Sequence, residues 1–551
     1  MLKTLLRRVF SKQSTAIPNL VLTVISISSL QTPLSEHSVK KVEIVVDCTL
    51  GDDTSLGTPD RPVKTVSQAA QLAMFNRRNG ISTTITIHPG TYREFVQLTS
   101  VGPEMGASII FQASQAGAVN LSGSDLWSGW QLDPTDSRIY LHPWQYRWGR
   151  CEHPSGWPAI KDLGLRREMV FVNDSPMMQA LSRKEMKQGS FFLDEADGVI
   201  FLWSPSGAKI SESKVEVAVR PGVFESDGVS NLSLKGITFE HANSCLSTKP
   251  TAGVVISGGV NNSLEDSSIV WNNWIGLNYF SSTNSTARRL TVNWNGETGI
   301  NGFRLKGVTF ENVETSHNNW RGAEGQFITW EPSGGKFIRT HGGIFRDYVA
   351  IGNQGRGMWF DTDNIDVIID KATIEQNLVG GIDLEANVGP VTIENSRICG
   401  NLKEGIQNNQ TANVTVVRNI IYNNAKSEIM VGDVQSPRTG ANWETKGNFS
   451  ATSDRWMLSE NIIVAANHNQ FVYGTLRLPG QPPSTFLNTL TSDNNVWFNP
   501  ETTDAFQLDP GSKDHPAQIL NFAQWQSTTG QDKHSKFVPP DSSLVGSCTV
   551  R

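Results

Sequence analysis

The chain of 551 residues is short of the features that mark several large protein classes. Its five cysteines, Cys48, Cys151, Cys245, Cys399 and Cys548, are scattered and odd in number, with no Cys-x-x-Cys pair. Such usage argues against a zinc ribbon and against a disulfide framework, and leaves the redox compartment open. Charged residues make up 18% and the formal net charge is −6, so the basic footprint of a nucleic-acid or polyanion binder is missing. Beyond residue 30 no stretch is apolar enough to span a membrane. The chain is too long for one compact core and suits a solenoid or two to three domains.

The first 41 residues form a separate leader. Lys3, Arg7, Arg8 and Lys12 precede a mostly apolar run from Ile17 to Leu30, broken by Thr23, Ser26, Ser28 and Ser29. This resembles a weak export signal without a clear small-x-small cleavage site, and predicts a secreted or periplasmic protein; a disordered leader on a cytoplasmic protein is the alternative.

What is abundant is glycine (48), asparagine in turns, and tryptophan (16). Asparagine recurs four residues before a Gly-apolar pair: Asn295 before Gly299-Ile300, Asn353 before Gly357-Met358, Asn377 before Gly381-Ile382 and Asn401 before Gly405-Ile406. Asn424 precedes Glu428-Ile429, where glutamate replaces the glycine. Asn319 fits 24 residues after Asn295, and the longer step from there to Asn353 implies an insertion of about ten residues. Each unit carries a second β-rich run, as in Val367-Ile368-Ile369 and Val391-Thr392-Ile393. The units are too short to hold helices between strands. The prediction is an all-β right-handed parallel β-helix, its asparagines hydrogen-bonded along the stack as structural turn formers.

Alternation then sorts the side chains of each rung. Met358 and Phe360 point inward, as do Ile382 and Leu384. Two outward rows remain, Trp359–Asp383–Gln407 and Asp361–Glu385–Asn409. Asp361 and Glu385 occupy equivalent places in consecutive repeats, one strand spacing of about 4.8 Å apart. Outward acids on a solenoid often serve only solubility. Two stacked acids beside a tryptophan and an inserted loop suit a sugar-cleaving pair, which in retaining enzymes lies about 5–5.5 Å apart. Asp361, the shorter and more rigid side chain, is the expected nucleophile. Glu385 is the expected acid/base, its pKa raised by its neighbour's charge. Asp363, past the strand end, is the alternative to Asp361. Asp383, Trp359, Trp330 and Trp320 are candidate sugar contacts, with Asn409 beside them and Glu331 and Lys336 reaching in from the inserted loop.

The domain plan follows from where this period holds. Residues 42–125 form an N-terminal cap and first rungs, with a helix-like stretch Ser67–Phe75 and the strand-rich Thr84–Glu94. This opening block resembles the N-terminal segment of pectate-lyase-like β-helix proteins, in which a short helix covers the open end. Residues 126–220, with clustered Trp127, Trp130, Tyr140, Trp144, Tyr146 and Trp148, break the period and predict an inserted β-sandwich-like domain. Residues 221–435 are the main solenoid, and 436–551 are closing rungs and a tail.

With Gly357-Met358-Trp359-Phe360-Asp361, Gly381-Ile382-Asp383-Leu384-Glu385 and the late Trp525…Thr529-Gly530-Gln531-Asp532, the chain resembles bacterial β-helix glycoside hydrolases. Families 120 (β-xylosidases) and 141 (fucosidase- and xylanase-like) look closest. The family 120 likeness implies an Asp nucleophile and a Glu acid/base on adjacent rungs, positions that map to Asp361 and Glu385. It implies a carbohydrate substrate and no cofactor. The rival on the same scaffold is a polysaccharide lyase or epimerase. It would use a base such as Lys336, Arg339 or Arg356, with Ca²⁺ ligated by Asp361, Asp363, Asp383 and Glu385. A non-catalytic carbohydrate-binding solenoid is the third reading. The sugar, the linkage, exo or endo action and the oligomeric state are not legible from the residues.

Overall fold

The structure is a computed structural model and describes residues 40–100, 106–205, 208–432, 437–477, 486–508, 517–546 and 548. The segment read as a leader lies outside these residues except for its last two. Lys41 already opens the strand Lys41–Val46, paired in parallel with Ser82–Ile87.

A right-handed parallel β-helix runs through the chain. One rung shows the plan: Arg356–Asp361, then Ile365–Asp370, a bend at Lys371, Thr373–Glu375, and a turn into the next rung at Ile382–Glu385. The first strand of each rung joins a front sheet, which counts 13 strands among the described residues; the other two lie in a second, wrapped sheet. Alternate Val, Ile, Leu and Phe side chains fill the interior. Phe310 stacks on Phe345 at 5.1 Å, and Phe337 on Phe360 at 5.4 Å.

Turns bring backbone groups into a dry interior where each must find a partner. Asparagine supplies it. Asn272, Asn295, Asn318, Asn353, Asn377, Asn401 and Asn424 form a column in which each Nδ2 donates to the next Oδ1. The column ends on Glu428, which accepts from Asn424. A second column, Asn364–Asn387–Thr411, lines the corner after the front strand. A third, Asn419–Asn461–Asn495, lines the bend between the two wrapped strands. The ladder member in the insertion-bearing rung is Asn318, not the adjacent Asn319. Asn319 takes a left-handed conformation (φ 70°) at the start of a short helix and donates to Phe327 O and Gln354 O. Steps of 23 and 24 both occur along the stack, so period alone does not choose between neighbouring asparagines.

Helix α1 (Val66–Arg78), N-capped by Thr65, packs its buried Val66, Ala69, Ala70, Ala73 and Met74 over the first rungs. Residues 124–218 carry a four-stranded and a five-stranded sheet, largely antiparallel. They are clamped to the solenoid by α2 (Trp320–Glu324), whose buried Arg321 donates to Asn273 Oδ1, Gln179 Oε1 and Glu168 O. Toward the far end α3 (Phe522–Thr529) is followed by the short strand Lys536–Phe537, which pairs in parallel with Val496–Phe498. Asn521 and Gln524 form a capping box, Trp525 stacks on Phe506 at 5.0 Å, and its Nε1 donates to Asp532.

The cysteines correct the sequence reading. Cys151–Cys245 joins the inserted segment to the solenoid, and Cys399–Cys548 ties the C-terminal segment to a rung. The partners are 94 and 149 residues apart, too distant for spacing to reveal. Among the described residues no helix is long and apolar enough to cross a membrane.

Replacing Asn377 by Ala leaves Asn353 N, Ala350 O and Asn401 Oδ1 short of a buried partner. At about 1–3 kcal/mol for each abandoned group, N377A is expected to lose several kcal/mol in denaturant unfolding. Burial pushes the Glu428 carboxyl well above its usual range, against the pull of the Asn424 donors. The folded state therefore holds this proton where the unfolded chain, titrating near about 4.3, has lost it. Stability is full below that pH and falls as pH rises toward the folded value. Glu428→Gln is expected to flatten this decline in melts taken from acid to neutral pH.

Candidate active site

Two outward columns cross the front sheet. One runs Asn278–Asn301–Lys336–Trp359–Asp383–Gln407 and the other Phe280–Phe303–Ile338–Asp361–Glu385–Asn409. Asp361 pairs in register with Glu385 on the neighbouring strand, so the two carboxyls project side by side about 4.8 Å apart at the backbone. Their side chains are 18% and 20% exposed, open enough to be reached and covered enough to feel each other.

The surroundings are more ionic than the repeat suggests. Buried Lys336 places Nζ 3.3 Å from Asp361, 2.9 Å from Glu331 and 3.7 Å over the Trp359 ring. Thr362 Oγ1 donates to Asp361 Oδ1 at 2.7 Å. Arg356 donates Nε to Asp383 at 2.6 Å, lies 4.0 Å over Trp359, and reaches Thr329 O. Arg438 pairs with Glu385. Burial raises the Glu385 carboxyl, the charges of Asp361 and Asp383 add to the rise, and Arg438 opposes it. Burial also raises Glu331 against Lys336, and Asp383 against Arg356. Glu297, fully enclosed next to this cluster, is pushed up to about 8 by burial and the charge of Glu331.

The predicted residues therefore separate. Asp361, Glu385, Lys336 and Glu331 come together. Asp383 and Trp359, expected to meet sugar, are both buried: Asp383 is neutralised by Arg356 and touched by Asn409 Nδ2 at 3.4 Å, and Trp359 is covered by two cations. The indole Nε1 of Trp359 has no partner among the described residues. Trp330 is 46% exposed at the rim, between Thr329 and Glu331. Trp320 is elsewhere. Its Nε1 donates to Trp294 O at the corner where rungs enter the front sheet.

Asp363 does not stand in for Asp361. Its backbone is left-handed (φ 59°), and its buried carboxylate accepts from Asn442 Nδ2 and Trp443 N, both at 3.1 Å. These belong to a hairpin, Arg438–Ala441 and Asn448–Ala451, inserted between rungs, which also ties Glu444 to Lys306 and His341. The hairpin carries Arg438 over Glu385, so Asp363 anchors the wall of the site. Sequence reasoning passed over Arg438, which stands 53 residues from Glu385 in an irregular segment with no repeat to place it.

A family model described as right handed beta helix region matches residues 197–329 and 252–421. No curated protein matches the chain. Among solved structures, the complex of XylC with xylose is 15% identical, covering 90% of this chain and 86% of that one with a TM-score of 0.65. The A-module of the Azotobacter vinelandii mannuronan C-5 epimerase AlgE6 is 13% identical over 87% of this chain and 97% of its own, with a TM-score of 0.48. A glycoside hydrolase is 12% identical over 83% and 96%, with a TM-score of 0.45. The first of these likenesses agrees with the fold.

Arg438 holds the Glu385 pKa down. Arg438→Gln is expected to move the Glu385 titration to higher pH, shifting the alkaline limb of any rate that needs its proton in the same direction. A pH profile of kcat/KM, or of the Glu385 carboxyl by NMR, checks this.

Proposed function

We propose that the protein is a retaining glycoside hydrolase acting on xylosidase- or fucosidase-type oligosaccharides or polysaccharides. The observation that carries the proposal is the in-register Asp361–Glu385 pair, with the Glu385 carboxyl raised by burial and by the charges of Asp361 and Asp383. Side chains on neighbouring strands start about 4.8 Å apart, nearer the about 5–5.5 Å of a retaining pair than the about 6.5–9.5 Å an inverting enzyme needs for its water. Asp361, ion-paired with Lys336 and oriented by Thr362, attacks the anomeric carbon. Glu385, its carboxyl raised by burial and by the neighbouring acids, gives its proton to the departing glycosidic oxygen. Once Asp361 is esterified its charge is gone, and with it one of the forces raising Glu385. The carboxyl then becomes the better base for the water that releases the sugar. The known XylC structure holds xylose, which makes xylosides the first substrates to try. Two disulfides support export to an oxidising compartment.

A uronate lyase or epimerase is the second reading, favoured by the three cations Lys336, Arg356 and Arg438 around the acids. It predicts ultraviolet absorbance from an unsaturated product, or epimerised uronate, with loss of activity on chelation if Ca²⁺ takes part. A binding solenoid predicts retention of glycans without turnover.

A screen of aryl glycosides with product configuration followed by NMR tests the hydrolase reading. Asp361→Ala and Glu385→Gln are each expected to lower kcat/KM roughly 10³-fold or more with the fold intact. Asp363→Asn is expected to loosen the hairpin and raise KM while kcat stays within about tenfold. Full activity in both D361A and E385Q, or inversion of configuration, would sink the proposal.

A further inference from the structure

Where the chain leaves the front sheet, one residue in each rung takes a left-handed conformation. From the first rungs to the acid pair this column runs Gly228 (φ 70°), Gly258 (66°), Ser281 (52°), Arg304 (57°), Arg339 (61°) and Thr362 (55°). Backbone bonds hold it in line: Ser281 N donates to Phe303 O, Arg304 N to Ile338 O, Arg339 N to Thr362 O and Thr362 N to Glu385 O. The early rungs use glycine, because a side chain there costs about 1–2 kcal/mol. Two consecutive rungs use arginine instead. Thr362 is the residue that donates to Asp361, so the arginines stand in line with the acid pair. Arg339 lies one rung and Arg304 two rungs before Asp361, at about 4.8 Å a step.

Neither arginine has a counter-ion. On the surrounding rungs Arg288, Arg289, Arg346 and Arg356 each pair with a carboxylate, as does Arg438 from the hairpin. Arg304 and Arg339 are partly buried, and among the described residues their Nε atoms are covered without an acceptor and their guanidiniums meet no carboxylate. Both converge on one ring, with Cζ 5.0 and 5.7 Å from the centroid of Phe303, which stacks at 5.1 Å on Phe280. The carboxylates of the same stretch are engaged elsewhere. Lys336 takes Asp361, Asn442 and Trp443 take Asp363, and Lys306 and His341 take Glu444. Two like charges held on adjacent rungs repel, and the N–H fork of a guanidinium matches an oxyanion. The partner this pair calls for is an anion. A guanidinium keeps its proton, so the pair binds and does not act as a base.

We propose that Arg304 and Arg339 form an anion subsite, holding a carboxylate or sulfate carried by a sugar unit next to the one that meets Asp361 and Glu385. Lys336, Arg356 and Arg438 are neutralised by the site's own acids, whereas Arg304 and Arg339 are available to a substrate. The proposal rests on reading the Asp361–Glu385 face as a glycan site. It narrows the substrate to an acidic glycan, one bearing uronate or sulfate-ester groups, rather than a neutral chain.

The test is isothermal titration calorimetry at low salt on the full chain carrying Glu385→Gln. Two matched pairs of ligands are used: glucuronoxylan oligosaccharides with and without reduction of their carboxylates, and sulfated fucan oligosaccharides with and without desulfation. The charged member of at least one pair is expected to bind at least about tenfold tighter than its neutral form. Arg304→Gln and Arg339→Gln should each shrink that preference and the double variant abolish it, with affinity for the neutral form held within about twofold. Preference within the carboxylate pair alone identifies a uronate, and within the sulfate pair alone a sulfate ester. Preference in neither pair, or a preference that survives in the double variant, overturns the subsite. Equal loss for the charged and neutral members marks a structural role and overturns it as well. Aryl-glycoside turnover by the chain with Glu385 intact bears on the acid pair alone, so failure of the hydrolase reading and failure of the subsite are told apart.

Discussion

Register is the constraint on which this molecule depends. A parallel strand pair carries no turn to fix its alignment, and a slip of one residue sends every side chain to the opposite face. Here the alignment is set by buried amides. Asn353, Asn377 and Asn401 each bind the backbone and side chain of the preceding rung, so a shifted rung would leave several buried groups without partners. The same bonds that hold the stack place Asp361 opposite Glu385. The candidate chemistry is a by-product of a structural column on the other side of the strand.

The ladder gives position but not electrostatics. Left alone, Asp361, Asp383, Glu331 and Glu385 would crowd one half-buried patch with negative charge. Three cations balance it. Two stand on the rungs, Lys336 beside Asp361 and Glu331 and Arg356 on Asp383, and the 438–451 hairpin brings the third, Arg438, onto Glu385. Burial still wins at Glu331, Asp383 and Glu385, each of which is raised despite a cation at hand. Scaffold and inserts thus divide the work: rungs set distance and supply Lys336 and Arg356, and an irregular segment supplies Arg438.

This division explains what could be read from the residues. The solenoid, the inward rows and the Asp361–Glu385 register were legible because they repeat, and a repeat carries its geometry with it. Lys336 and Glu331 were legible because they lie inside the long step from Asn319 to Asn353. Arg438 was not, since a hairpin contact across 53 residues leaves no periodic trace, and the disulfides were hidden for the same reason. Trp359 and Asp383 were placed on the right face but given the wrong environment. Pleat alternation tells outward from inward, and an outward side chain can still be buried by a neighbouring arginine or lysine. Trp320, named as a candidate sugar contact, is carried by its rung to the corner beside Trp294, away from the acid pair.

Asp363 shows how far a two-residue shift matters. At the strand end the chain turns through left-handed Thr362 and Asp363, so the alternation that governs 357–361 no longer applies. Asp361 keeps its place on the exposed face. Asp363 is turned under the hairpin and bound by two N–H donors, a setting that fixes its carboxylate as an acceptor and leaves none of it for a substrate. Two aspartates equally plausible by composition are separated by one change of backbone conformation: one meets solvent beside Glu385, and the other holds the loop that brings Glu385 its arginine.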